Sequence, residues 1–267
     1  MKPNRFLFLI IAILLVPVVY SQDNSTVVLL HMNGTDKGTS FYDAADKRHN
    51  LTAVGGVEID TEQFKFSGSS GNFTEAGGDY LTIPDSADWN FDTDAFTIDM
   101  WVRFSTLTET VQSFVSQFSA ADSWMVLRYS SGTIDLTHYI TSSDLTISLS
   151  GVWEPEINTW YHIALIRGWQ GSKDNFAFTV NGTEIVMKND TSNWNDYTGV
   201  FIIGHNTDNA AQKFNGWIDE FRISRGIARW TTNFTPPTAE YGVIVDTSPP
   251  TMPLINLSNQ IIYNGSN

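Results

Sequence analysis

The sequence predicts an all-β chain, a two-sheet antiparallel jelly-roll β-sandwich, on three observations. Short alternating or β-rich segments recur along it, separated by Gly, Asn, Asp and Ser. Nothing between residues 22 and 240 keeps a 3.6-residue period for more than about two turns, which disfavours helix. Two hairpins are marked by their turns: Asn181-Gly182 sits between Phe176–Val180 and Thr183–Met187, and Tyr129-Ser-Ser-Gly-Thr133 joins another pair.

Residues 2–21, KPNRFLFLIIAILLVPVVYS, place two basic residues before an apolar run, then a proline, then small residues at the cleavage positions. This reads as a secretory signal cut near Ser21, since about 14 apolar residues are short for a membrane span. The expected folded unit is then residues 22–242, exported and secreted or held at a cell surface. Its strands are expected at Thr26–Met32, Gln63–Phe66, Tyr80–Ile83, Phe96–Phe104, Ser113–Phe118, Trp124–Tyr129 and Ile134–Ile140. Leu145–Leu149, Trp160–Arg167, Phe176–Val180, Glu184–Met187, Val200–Ile203 and Gly216–Ile223 complete the set. In Trp160–Arg167 both alternating sets are largely apolar, as in a central strand covered on each side. Residues 243–267 carry three prolines in their first eleven positions and read as a linker, leading to a tail or a further domain.

Composition narrows the function. The formal net charge is −14, and −16 once Lys2 and Arg5 leave with the signal, which makes a phosphate backbone an unfavourable partner. There are no cysteines, so thiol catalysis and thiolate metal sites are excluded and stability must come from the core. Asn-x-Ser/Thr sites occur at Asn24, Asn33, Asn50, Asn72, Asn181, Asn189, Asn233, Asn256 and Asn264. Asn24, Asn50, Asn72 and Asn189 are the acceptors expected to carry glycan in a lineage that glycosylates exported chains.

Six motifs then carry a family likeness. They are Val28-Leu-Leu-His-Met-Asn-Gly34, Lys65-Phe-Ser-Gly-Ser-Ser70, Gly78-Asp-Tyr-Leu-Thr-Ile-Pro84, Phe96-Thr-Ile-Asp-Met-Trp-Val-Arg103, Asn158-Thr-Trp-Tyr-His-Ile-Ala-Leu165 and the run FNGWIDEFRISRGIARWTTNFTPP from Phe214 to Pro237. In this order they resemble the laminin-G-like, concanavalin A-like lectin/glucanase jelly-roll domains, a group related to pentraxins. The likeness extends from about Val27 to Tyr241. It implies two facing antiparallel sheets and a recognition or adhesion module for glycans or glycosylated surface proteins. Calcium assistance is a further implication of the likeness.

The pentraxin-like calcium loop corresponds to Ile202-Ile-Gly-His-Asn-Thr-Asp-Asn209, which implies ligands Asn206 and Asp208 with Asp122 completing the site. A second cation site pairs Asp43 with Asp219. Within Gly216–Ile223, strict alternation puts Trp217, Asp219, Phe221 and Ile223 on one face and Ile218, Glu220 and Arg222 on the other. Asp219 must then be hydrogen-bonded or hold a cation, because an unpaired buried carboxylate is costly.

Catalysis has one foothold. Glu58-Ile-Asp-Thr-Glu62 imitates the acidic core of laminarinase-type glycosidases, and an extended strand would put Glu58, Asp60 and Glu62 on one face. Its position argues against the role, since the family pattern has a variable edge segment there and a solvated acidic turn is the ordinary reading. For sugars, the expected contacts are loop aromatics: Trp153, Trp169, Trp194 and Tyr197 lie in stretches rich in Asn, Asp and Gly. Trp101, Trp124, Trp160 and Trp217 lie in strands and are expected in the core, as is His162. A purely structural spacer is the remaining reading of the chain.

Overall fold

The computed structural model describes residues 23–242, except 67, 75–77, 120–122, 142–143 and 210. The expected signal segment and the Pro-rich stretch 243–267 lie outside the described residues. The described strands are β1 (Thr26–Leu30), β2 (Thr52–Val54), β3 (Glu58–Asp60), β4 (Ser70–Phe73), β5 (Tyr80–Ile83), β6 (Phe96–Phe104), β7 (Val111–Phe118) and β8 (Trp124–Ser130). They continue as β9 (Thr133–Thr141), β10 (Asp144–Val152), β11 (Trp160–Arg167), β12 (Asn175–Val180), β13 (Thr183–Asn189), β14 (Phe201–Ile203) and β15 (Gly216–Arg225). Two sheets result, in the orders β13-β12-β11-β6-β15-β4-β3, with β1 also on β15, and β10-β9-β8-β7-β14-β5-β2. Every pairing is antiparallel. The jelly-roll expectation holds.

Alternation sets the core. Phe96, Ile98, Met100, Val102 and Phe104 of β6 face inward, meeting Ile163 and Leu165 of β11 on one side and Phe114, Met125, Leu127 and Phe201 from the second sheet. Both marked hairpins turn through left-handed residues: Asn181 and Gly182 have φ +48° and +74°, and Ser131 and Gly132 have +48° and +90°. Gln63–Phe66 is not a strand. It is a turn whose Lys65 and Phe66 N–H groups donate to Asp219 Oδ2 at 2.9 and 3.1 Å.

The run from Phe214 onward does two jobs. Its first part is β15, which pairs along its whole length with β6 but changes its other neighbour midway, from β4 opposite Gly216–Ile218 to β1 opposite Phe221–Ser224. At the changeover the register with β6 slips between Asp219 and Arg222, and Glu220 has φ +51°. This β-bulge breaks the expected alternation. Ile218 and Phe221 both face the core, while Asp219 is kept from it with Trp217.

The second part, residues 226–241, crosses the outer face of the first sheet as a strap. Trp230 and Phe234 stack with centroids 3.9 Å apart and planes 3° from parallel. They pack over Ala164, Ile166 and Ala177, edge-on to His162. Tyr241 closes the strap onto Leu29 and Ala45. The outer face is thereby buried over a polar group of Asp99, His162 and Arg222, which explains why both sets of β11 residues are apolar or enclosed.

Candidate functional site

The loop between β1 and β2 folds back beside β1. Ala44 N–H donates to Leu29 C=O at 2.7 Å, which extends the sheet edge. Asp43 then organises the rest: Oδ1 accepts Leu29 N–H and Ala45 N–H, both at 2.9 Å. Oδ2 accepts His49 N–H at 2.9 Å and faces His49 Nδ1 at 2.8 Å. The far nitrogen of His49 reaches Asp88 Oδ2 at 3.0 Å, and its ring leans on Trp89. The Ala45–Arg48 turn that permits this carries Arg48 at φ +50°.

Between the two arms of this loop lies a cleft of about 510 Å³, lined by Thr39–Asp43 and Arg48–Leu51. Its volume falls in the range of small-ligand sites. Phe41 anchors one wall in the core at 8% exposure, which turns the neighbouring Tyr42 outward at 73%. A phenol ring beside a guanidinium, an amide and two hydroxyls, from Arg48, Asn50, Ser40 and Thr39, can meet a sugar's C–H face and its hydroxyls together. Tyr42 is the residue that reading the sequence missed. Its signal was an aromatic displaced by one position from a core anchor, inside a polar loop.

The aromatics singled out in loops are buried instead. Trp153 is 6% exposed, Trp169 1%, Trp194 3% and Tyr197 1%, so none presents a ring face to a ligand. Trp153, Trp194 and Tyr197 belong to the main core and Trp169 to the patch beneath the strap. The strand tryptophans are outside the inter-sheet core. Trp101 lies under Lys65 and Phe66, and Trp124 stacks on Tyr139 with centroids 4.3 Å apart. Trp160, Arg103 and Trp217 stand opposite one another across β11, β6 and β15. The phase of each strand decides it: β6 sends Met100 and Val102 inward, so Trp101 points out.

The cation-site residues are held by the fold itself. Asn206 Oδ1 accepts Asp208 N–H at 3.2 Å and its amide donates to Gln212 Oε1 at 2.8 Å, which leaves Asp208 exposed by itself. Asp122 lies outside the described residues. Asp43 spends both oxygens on four protein partners, as above, so it does not fit as a calcium ligand with Asp219. Burial pushes Asp219 up to about 7, against the two N–H bonds to Oδ2, and its Oδ1 is buried without a partner. Of the expected glycan acceptors, Asn24, Asn50 and Asn189 are exposed and Asn72 is half-buried.

Residues 75–228 match the family model described as the concanavalin A-like lectin/glucanases superfamily, which is more than half of the chain. The chain belongs to that superfamily. Curated proteins give this superfamily member no match. Among solved structures it is similar to the binding domain of Paraclostridial Mosquitocidal Protein 1, with a TM-score of 0.58 and 14% identity over 76% of this chain and 49% of that one. The botulinum neurotoxin serotype G binding domain aligns with a TM-score of 0.56 and 15% identity, over 79% and 48%. The chain thus spans about half the length of these toxin domains. Domain 4 of AbnA, a GH43 extracellular arabinanase from Geobacillus stearothermophilus, was solved with arabinotriose. It aligns with a TM-score of 0.58 and 17% identity, over 76% and 94%.

In this lectin/glucanase-type domain the acidic run does not continue as one strand face through Glu62. β3 is an edge strand and ends at Asp60, whose Oδ1 accepts Glu62 N–H at 2.6 Å to start a turn. Asp60 Oδ2 is taken by Trp217 Nε1–H at 2.7 Å, and Glu62 stands in solvent. Glu58 therefore has no aligned partner in Glu62. The turn arises from an Asp side chain competing for backbone donors, a feature strand alternation does not register.

Proposed function

We propose that this chain is a carbohydrate-recognition module and that sugar rings lodge in the cleft between Thr39–Asp43 and Arg48–Leu51. The observation that carries the reading is Tyr42, an aromatic ring 73% exposed at a cleft of about 510 Å³ whose neighbours are hydrogen-bonding groups. The exposed face of that ring is free to meet the C–H surface of a sugar, a contact saccharide sites use. The similarity to an arabinanase domain solved with arabinotriose supports a glycan as partner. So does the scattering of the acidic run, which favours binding over hydrolysis. On this reading the module acts after export, in solution or as part of a cell-surface protein.

The test is a glycan array followed by calorimetry with the best hit and with arabino-oligosaccharides, on protein made without N-glycosylation because Asn50 lines the cleft. Tyr42→Ala should weaken binding by roughly tenfold or more, the worth of one stacked aromatic, with the melting temperature unchanged. Binding that survives Tyr42→Ala at full strength would move the site elsewhere. An array without any hit would leave the spacer reading standing.

A further inference from the structure

His31, Glu220 and Glu240 come from three separate parts of the chain and meet on the outer face of the first sheet. His31 directly follows β1, whose Leu30 pairs with Phe221, so the imidazole falls beside the bulge. The left-handed Glu220 supplies the second group from a fully buried position. Glu240 arrives at the end of the strap. One ligand atom from each lies within 4.8 Å of the other two.

Their hydrogen bonds orient them toward each other. His31 Nδ1 is 2.7 Å from Glu220 Oε1, while Glu220 Oε2 accepts Tyr241 N–H at 2.8 Å. Asn33 Nδ2 donates to Glu240 Oε1 at 2.8 Å. Ligand atoms around a tetrahedral zinc ion are roughly 3.3 Å apart, so His31 and Glu220 need to separate by well under 1 Å to admit one.

A second, independent observation lies in the next residue of the bulge. Asp219 is 1% exposed, and its Oδ1 has no hydrogen-bond partner although Oδ2 has two. It lies on the same outer face, near enough that its charge acts on His31 and the charge of Glu220 acts on it. A buried carboxylate oxygen left without a partner is destabilising. Two carboxylates, of Glu220 and Glu240, meet one imidazole, and a protonated ring offsets at most one of their charges. A cation at the centre of these three groups would offset the remaining charge.

We propose that His31, Glu220 and Glu240 hold one divalent ion of the zinc type. An imidazole nitrogen among carboxylates suits zinc, cobalt or manganese better than calcium, which takes oxygen ligands alone. His31 is 22% exposed at its side chain, so an ion has a way in from solvent. The ion would pin the end of the strap, through Glu240, to the changeover point of β15.

The experiment uses the full chain, tag-free and stripped with a chelator, and titrates zinc by calorimetry with melting curves alongside. One ion should bind, and at a hundredfold excess over Kd the melting temperature should rise by about 5 °C. Cobalt(II) should give visible absorption bands characteristic of a low-coordinate site. His31→Ala should abolish those bands, and Glu240→Gln, which keeps the acceptor for Asn33, should weaken zinc binding by at least tenfold. Absence of a stoichiometric zinc isotherm, or zinc binding undiminished in both variants, would overturn the proposal. So would calcium binding more tightly than zinc.

Discussion

Asp99 on β6 and Arg222 on β15 meet as a two-pronged pair beneath the strap, Nε to Oδ1 at 3.0 Å and Nη2 to Oδ2 at 3.1 Å. Tyr241 O–H donates to the same carboxylate, and His162 Nε2 lies 3.3 Å from it. Burial opposes the charged form of Asp99, yet Arg222 and His162 outweigh it and hold the group at about 2. Arg222→Ala strands that charge and should cost about 3–5 kcal/mol in urea unfolding. Adding Asp99→Asn should recover part of the loss. Because the folded value is depressed from 3.8, the contribution is complete above that pH and disappears as pH falls through about 2.

Gly182 shows how tightly the strap is seated. A Cβ there would lie 1.9 Å from Phe234 C=O, which is backbone and has nowhere to go. Phe234 N–H donates to Gly182 C=O at 2.9 Å, and Asn233 Oδ1 accepts Glu184 N–H at 2.9 Å. Gly182→Ala should therefore displace the strap as well as strain the turn, at φ +74°. A loss of about 2–4 kcal/mol is expected. Proteolysis should speed up at residues 226–241 before it does in the sheets, and uniform acceleration would mean that the strap is not a separate cooperative element.

The fold class, most strands and two hairpin pairings follow from features a sequence displays. Asn-Gly and Ser-Gly set two hairpins, and the two apolar sets of Trp160–Arg167 mark a strand covered on both faces. What stayed hidden were side-chain decisions made by long-range partners. The bulge at Asp219–Glu220 arises because β15 exchanges β4 for β1, a fact carried by neither strand's pattern. Trp153, Trp169, Trp194 and Tyr197 lie in loops and so read as surface groups, yet three of them join the main core and Trp169 packs beneath the strap. Tyr42 escaped notice for the converse reason: its outward direction depends on Phe41 being anchored in the core.

His138 on β9 supplies a pH test of the core. It is fully buried, its ring packed on Trp194 and Tyr197. Its protonation state follows from its partners. Thr146 O–H donates to the His138 C=O at 3.2 Å, so the 2.6 Å contact between Thr146 Oγ1 and Nδ1 must be the ring's N–H donating. Asn195 N–H donates to Nε2 at 3.0 Å, which requires a lone pair there. A second ring proton would face that N–H head-on. Burial accordingly lowers the group from 6.5 to about 4, with Asp190 and Arg167 acting on it in opposite directions. The unfolded chain then takes up a proton at higher pH than the folded one. The stability this neutral ring contributes is complete above 6.5, declines as pH falls, and levels off below about 4. The expected decline is about 3 kcal/mol by linkage. Urea unfolding at pH 7.5, 6.0 and 4.5 should show it in the native sequence and much less of it in His138→Gln. Equal slopes in the two proteins would mean that His138 takes up its proton as readily in the fold as in the unfolded chain, and that the lone-pair assignment at Nε2 is wrong.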